Sequence, residues 1–278
     1  MKKIILLLLL AVNISAQMRI IALSPSINEN IYALGIGDKL VANTTYATYP
    51  KESIKLPKVG GYFSISLEKI LMLKPTIVFM QKNNLEIKPK LEFLGIKTNL
   101  IASSSIQDIK NGILKIAKLT HADKKAKKLI EDIDKATIES KGILKDKKIL
   151  IVFGRQFDLK SEIFISGNSV YFADIIRDSG NQNAYKELSS KQPLLSYEGI
   201  VKLNPDIIYI LAHDLEIDDK QRLINPWLKL PITASKSRTI YVNTNKYASM
   251  PSYRVVEYIR DFTEVLRDAK SRFEIVGD

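Results

Sequence analysis

Residues Ser66 to Phe79 read SLEKILMLKPTIVF, and residues Ser196 to Tyr209 read SYEGIVKLNPDIIY, so one pattern recurs 130 positions later in the chain. Six of the fourteen positions are identical: Ser66/Ser196, Glu68/Glu198, Ile70/Ile200, Leu73/Leu203, Pro75/Pro205 and Ile77/Ile207. At the same offset the apolar run Ile20 to Leu23 lines up with Leu150 to Phe153. The period is far longer than the 20–50 residues of stacked solenoid repeats. It predicts two similar lobes facing each other across a cleft.

Each half alternates strand and helix patterns. In the first, strands are expected at 20–23, 40–43, 77–80 and 98–101, with helices at 28–34, 66–73 and 88–94. Ser66 is placed to cap the second of these helices, and Lys74-Pro75 stops it. The longest helical pattern, 106–145, is broken near Thr120–Ala122, and its second segment, 123–144, carries one apolar stripe. That segment predicts a rod of about 33 Å. The second half repeats the scheme, with strands near 149–153, 207–211 and 239–243 and helices at 170–179, 196–203 and 252–270. The fold class expected is two similar α/β lobes, residues 18–104 and 146–278, with mostly parallel sheets. One long rigid helix within the segment 105–145 joins them, and the ligand cleft lies between.

The first sixteen residues have the pattern of a secretory leader, with Lys2 and Lys3, an apolar run from Ile4 to Val12, and a cut after Ala16. Cysteine is absent, which removes disulfides, thiolate metal sites, a cysteine nucleophile and a lipid-modified anchor. A soluble periplasmic protein, acting as a monomer, is the expectation. The formal charge of +12 raises the question of nucleic acid. The lysines of 122–145, however, alternate with acids in the manner of a solvated helix face, and no basic groove interleaved with aromatics is visible. No nucleic-acid partner is expected.

In open parallel sheets ligands bind beyond the carboxyl ends of the strands. Those positions hold Ser24, Ser26, Tyr46, Met80, Gln81, Arg155, Phe157, His213, Tyr247, Met250 and Arg254, with Tyr62 just before the first repeat helix. They include no paired carboxylates, no nucleophile elbow and no phosphate loop, so binding rather than catalysis is expected, with no intrinsic cofactor. Aromatic, soft and cationic side chains suit a large, partly apolar ligand. His213 is a candidate axial ligand if that ligand is a haem iron. Tyr46, with Tyr49, also reads as a core cap with its hydroxyl wet and Arg155 as a surface ion pair, whereas Tyr62, after Gly60-Gly61, reads first as a ligand contact. Arg254, near the start of a helix, reads first as a structural residue. Glu68 or Glu198 alone would mean little, because an acid in a first helical turn is worth only about 0.3–1 kcal/mol. Two at matching positions suggest an exposed pair read by a symmetric partner.

Several segments resemble the helical-backbone class of periplasmic binding proteins that serve ABC importers of cobalamin, haem and iron–siderophores. They are RIIALSPSINENIYALGIGDKLVANTTYATYP (19–50), LPKVGGYFSISLEKILMLKPTIVFM (56–80), SGNSVYFADIIRDSGNQNA (166–184), LSYEGIVKLNPDIIYI (195–210) and PSYRVVEYI (251–259). The pattern is most similar to the cobalamin-binding members. The resemblance implies aromatic ligand contacts at Tyr46 and Tyr62, with Phe157, Met250 and Arg254 near further contact positions. It implies that Glu68 and Glu198 dock on arginines of the two permease subunits of an ABC importer. The bound ligand would be a cobalt- or iron-containing chelate, ranked corrinoid, then iron–siderophore, then haem. Position 62 is Tyr where some cobalamin binders have Trp, and the second repeat is approached through Lys191 to Leu195 without a tryptophan. Two alternatives stand beside this reading. One is a tetrapyrrole or metal chelatase using His213 with Asp214 or Glu216, and the other is a binding module without a transporter.

Overall fold

The computed structural model describes residues 17–62, 64–187, 192–213 and 219–277. The proposed leader, Lys191, Asp214 and Glu216 lie outside the described residues. The first half runs β1 (Ile20–Ala22), α1 (Pro25–Ala33), β2 (Leu40–Ala42), α2 (Leu67–Met72), β3 (Ile77–Met80), α3 (Lys88–Phe93) and β4 (Lys97–Leu100). Its four strands are parallel, in the order β2-β1-β3-β4. Two helices follow, α4 (Ile106–Thr120) and α5 (Asp123–Ser140). The second half runs β5 (Lys148–Phe153), β6 (Ile163–Ile165), α6 (Tyr171–Asp178), β7 (Gln182–Asn183), β8 (Leu194–Leu195), α7 (Tyr197–Leu203), β9 (Ile207–Leu211), α8 (Asp219–Ile224), α9 (Thr233–Lys236), β10 (Ile240–Asn243) and α10 (Val255–Gly277). Strands β10, β9 and β5 are parallel, β7 adds parallel to β5, and β6 and β8 continue the sheet antiparallel. The fold is two α/β lobes with a parallel and a mixed sheet.

Local chemistry sets the helix ends. Ser24 caps α1 through its hydroxyl, which accepts from the Ile27 N–H, and Pro25 occupies the first helical turn, so α1 starts three residues before the apolar pattern suggested. Ser105 and Asp108 form a reciprocal capping box at the start of α4. His121, at φ +58°, breaks α4 from α5 where the sequence places a break. Helix α5 stops at Ser140 instead of running to Leu144: Lys141 is extended and Gly142 takes φ +75°. The rod is therefore about 27 Å long at 1.5 Å per residue.

The helices do more than link the lobes. Ile20, Ala22 and Phe79 of the first sheet and Ile149, Ile151 and Tyr209 of the second belong to one continuous buried core, which includes residues of α4, α5, α6 and α10. The outward faces of the sheets form separate cores, one around Val78 and Met80 and one around Val152, Ile210 and Trp227. Helix α10 is also tied to the first lobe, because Asn30 Oδ1 of α1 accepts from the Tyr253 N–H at 2.8 Å.

The strand register corrects the repeat alignment by one residue. Ile20 pairs with Ile77, whereas Ile207, the equivalent of Ile77, pairs with Ile149. Ile20 therefore corresponds to Ile149, not Leu150. Both face the shared core, whereas Leu150 faces outward, as the two-residue period of a strand demands.

Candidate functional site

The loops after the parallel strands of both sheets converge on a cleft made of two hollows. The one on the second lobe, of about 730 Å³, is lined by Arg155 after β5, His213 after β9, and the start of α6. The one on the first lobe, of about 620 Å³, is floored by Ser24 and Ser26 after β1, Thr44 and Tyr46 after β2, and Gln81 after β3. Tyr62, Ser103 and Pro251 line both, so the two hollows meet there.

Tyr62 stands near the tip of a tight turn closed by a Gly60–Ile65 bridge. Gly60, at φ +140°, is required there: a Cβ would fall 2.0 Å from the Ser64 carbonyl oxygen. The turn presents Tyr62 with 45 % of its surface exposed, and Tyr46 beside it is 64 % exposed. Exposed rings on a cleft wall carry a large area that a ligand can bury. Arg155 is exposed and has no ion-pair partner among the described residues. Met250 lines the first-lobe hollow.

His213 lines the larger hollow with both ring nitrogens engaged. Its Nδ1 lies 3.0 Å from the Asn245 carbonyl, which can only accept, so Nδ1 carries the proton and donates. In the neutral ring Nε2 then accepts from the Ser249 hydroxyl at 2.5 Å. Among the described residues no group of three or more His, Asp or Glu side chains is placed to hold a metal ion.

Three residues singled out in the sequence lie off the cleft lining. Arg254 is 12 % exposed; its guanidinium lies 3.7 Å from the Glu29 carboxylate and 3.3 Å from Glu257, and is stacked 4.0 Å above the Tyr49 ring. Tyr247 donates its hydroxyl to Asp261 at 2.8 Å, and burial together with that carboxylate pushes its phenol well above the ordinary range. Phe157 lies in a separate hollow with Tyr197, under the Arg222 guanidinium at 5.0 Å. Each has found an internal partner that strand-end position alone does not reveal.

Conversely, the cleft takes in residues that the sequence did not single out. Ser103, after parallel strand β4, lines the cleft, as do Ser166, after antiparallel β6, and the first turn of α6, but serines in loops carry no distinguishing pattern. Glu68 and Glu198 are both exposed in the first turns of α2 and α7, whose caps are alike: Ser66 Oγ accepts from Lys69 N and Ser196 Oγ from Gly199 N. Hydrogen bonding from Ser196 and neighbouring groups lowers the Glu198 carboxyl below its usual value.

Comparison with known proteins agrees with this architecture. The chain matches the model of a family described as periplasmic binding protein over residues 20–243. It is 27 % identical over 240 residues to the vitamin B12-binding protein of Yersinia pestis (strain Pestoides F), covering 83 % of this chain and 82 % of the relative. Among solved structures it is similar to the periplasmic vitamin B12 binding protein BtuF of Vibrio cholerae, with a TM-score of 0.77, 20 % identity, and coverage of 91 % and 97 %. The periplasmic haem binding protein HutB of Vibrio cholerae superposes with a TM-score of 0.74 at 23 % identity, covering 90 % of this chain and 99 % of that one.

Proposed function

Because the chain belongs to the periplasmic binding protein family, a family of binding proteins and not of enzymes, we propose that it captures cobalamin or a related corrinoid between its lobes. It then delivers the ligand to an inner-membrane ABC permease. The observation that carries this reading is the cleft itself. Two exposed tyrosines meet a floor rich in hydroxyls and amides, with a single arginine, Arg155, among the described residues that line it. A macrocycle with a neutral, hydrogen-bonding periphery suits such walls, because rings cover its faces and hydroxyls its rim. The likeness to vitamin B12-binding proteins supports the same choice. An iron–siderophore ranks second. Haem ranks third, since both nitrogens of His213 already have partners.

Docking on the permease is assigned to Glu68 and Glu198. Their support is the repeat: one exposed carboxylate at the same point of each lobe offers a pseudo-symmetric partner two matching contacts. The protein acts in the periplasm as a monomer, residues 1–16 serving as its leader, with lobes 18–104 and 146–278 on either side of the helical segment 105–145.

Native mass spectrometry with absorption spectra, after incubation with cyanocobalamin, haemin and a ferric siderophore, tests the ligand. A one-to-one red adduct of cobalamin mass is expected. A haemin adduct alone, with a Soret band, would overturn the corrinoid reading.

A further inference from the structure

The first-lobe hollow contains a directional chain of hydrogen bonds. The Gln81 side-chain oxygen accepts from the backbone N–H of Asn84, which fixes the orientation of the amide. Its Nε2 therefore faces Ser26 and Ser103 and donates to both hydroxyls, at 3.2 Å each. Ser26 lies 3.1 Å from the Ser24 hydroxyl, and Ser24 accepts from the Ile27 N–H.

A hydroxyl has one hydrogen and two lone pairs, so the directions can be followed. Ser103 uses a lone pair for Gln81, and its hydrogen has no acceptor among the described residues. Within the Ser24–Ser26 pair, whichever hydroxyl donates, the hydrogen of the other is left over. Thr44 adds a third spare hydrogen, on a buried hydroxyl without a partner among the described residues. All four side chains line the same hollow. Ser24, Ser26 and Thr44 are buried and Ser103 is half-buried; a buried hydroxyl left unpaired is costly, so these hydrogens are provision for an acceptor that arrives with the ligand.

The acceptor they fit is neutral. No charged residue among the described residues lines this hollow. The N-terminus of α1 favours an anion only modestly, by less than an unpaired carboxylate loses on burial. We propose that the first-lobe half of the cleft is a donor surface that reads neutral carbonyl oxygens, carboxamides above all, on the rim of the ligand. The Ser24–Ser26 pair, Ser103 and Thr44 supply the donors, and Gln81 is the positioning residue that aims Ser26 and Ser103. This deepens the corrinoid reading and takes the same cleft as the ligand site.

The test compares cyanocobalamin with cobyrinic acid, a corrin that carries carboxylates in place of the carboxamides, by isothermal titration. The native protein is expected to prefer cyanocobalamin by about 10-fold or more, from the loss of several uncharged hydrogen bonds and the burial of charge. Gln81→Glu keeps the size of the side chain and an acceptor for Asn84 but turns the remaining oxygen toward Ser26 and Ser103, drawing their hydrogens inward. It is expected to weaken cyanocobalamin about 10-fold or more, with an unchanged melting temperature. Ser103→Ala, which removes one donor only, is expected to cost about 2- to 12-fold. Equal affinity for the two corrinoids, or variants that bind as the native protein does, would overturn the donor surface and leave the corrinoid reading in place. A neutral ferric trihydroxamate bound in place of cobalamin, weakened by the same variants, would keep the donor surface and overturn the corrinoid. Haemin bound to the exclusion of both would overturn both.

Discussion

The Ser252 hydroxyl donates a 2.5 Å hydrogen bond to the buried carboxylate of Glu29, joining residues 223 positions apart. Glu29 lies on the first helix of the first lobe, and Ser252 precedes the C-terminal helix. The Arg254 guanidinium flanks the same carboxylate at 3.7 Å. The cleft-lining Met250–Pro251 segment is thus held against the first lobe by a polar contact removed from water.

Burial raises the Glu29 carboxyl from its usual 4.5 to about 7, against the opposing effects of Ser252 and Arg254. Between those values the folded state holds a proton that the unfolded chain has lost, so stability falls as pH rises. The contribution is complete below about pH 4.5 and gone above about pH 7. Glu29→Gln, which cannot ionise, should remove this part of the slope, about 1–3 kcal/mol. Urea titrations of both proteins from pH 5 to pH 8 measure it; parallel curves would show that Glu29 does not titrate in this range.

Tyr62→Ala and Tyr46→Ala should each weaken ligand binding by about 1–3 kcal/mol, the range for losing a large apolar contact. Because both rings are largely exposed in the free protein, melting temperatures should barely move. Calorimetric titration decides: an unchanged Kd for either variant takes that ring out of the site.

Glu68→Arg combined with Glu198→Arg should abolish uptake in cells while leaving ligand affinity intact, since like charges would then face the permease. Both side chains are exposed, so each change should cost no more than about 0.5–1 kcal/mol of stability. Normal uptake by a folded, ligand-binding double variant would reduce the pair to helix-end acids.

The lobes should move little on loading. Their sheets share one core through α4, α5 and α10, and the contacts of Glu29 and Asn30 tie α1 to the start of α10. Free and loaded forms are expected to superpose with backbone differences of about 1 Å, as in pre-organised complexes. Paired small-angle scattering profiles check this; a large domain rotation would contradict a shared core.

Much of this architecture was legible from local chemistry. The repeat at 66–79 and 196–209 implied two lobes, Ser66 and Ser196 cap the two repeat helices, and the strand from Ile207 to Leu211 occupies the residues that its apolar run marked. Such features depend on neighbours a few positions away, so short-range periodicity and capping encode them. Only the tertiary structure decided which side chains remain available to a ligand. Arg254, just before the C-terminal helix, is engaged by Glu29, a partner that packing brings to it from the far end of the chain. Gln81 and Ser26, 55 positions apart, and Gln81 and Ser103, 22 apart, meet because parallel strands deliver their ends to one edge. Pairings over such distances are set by how the sheets and helices pack, and a linear pattern holds no record of them.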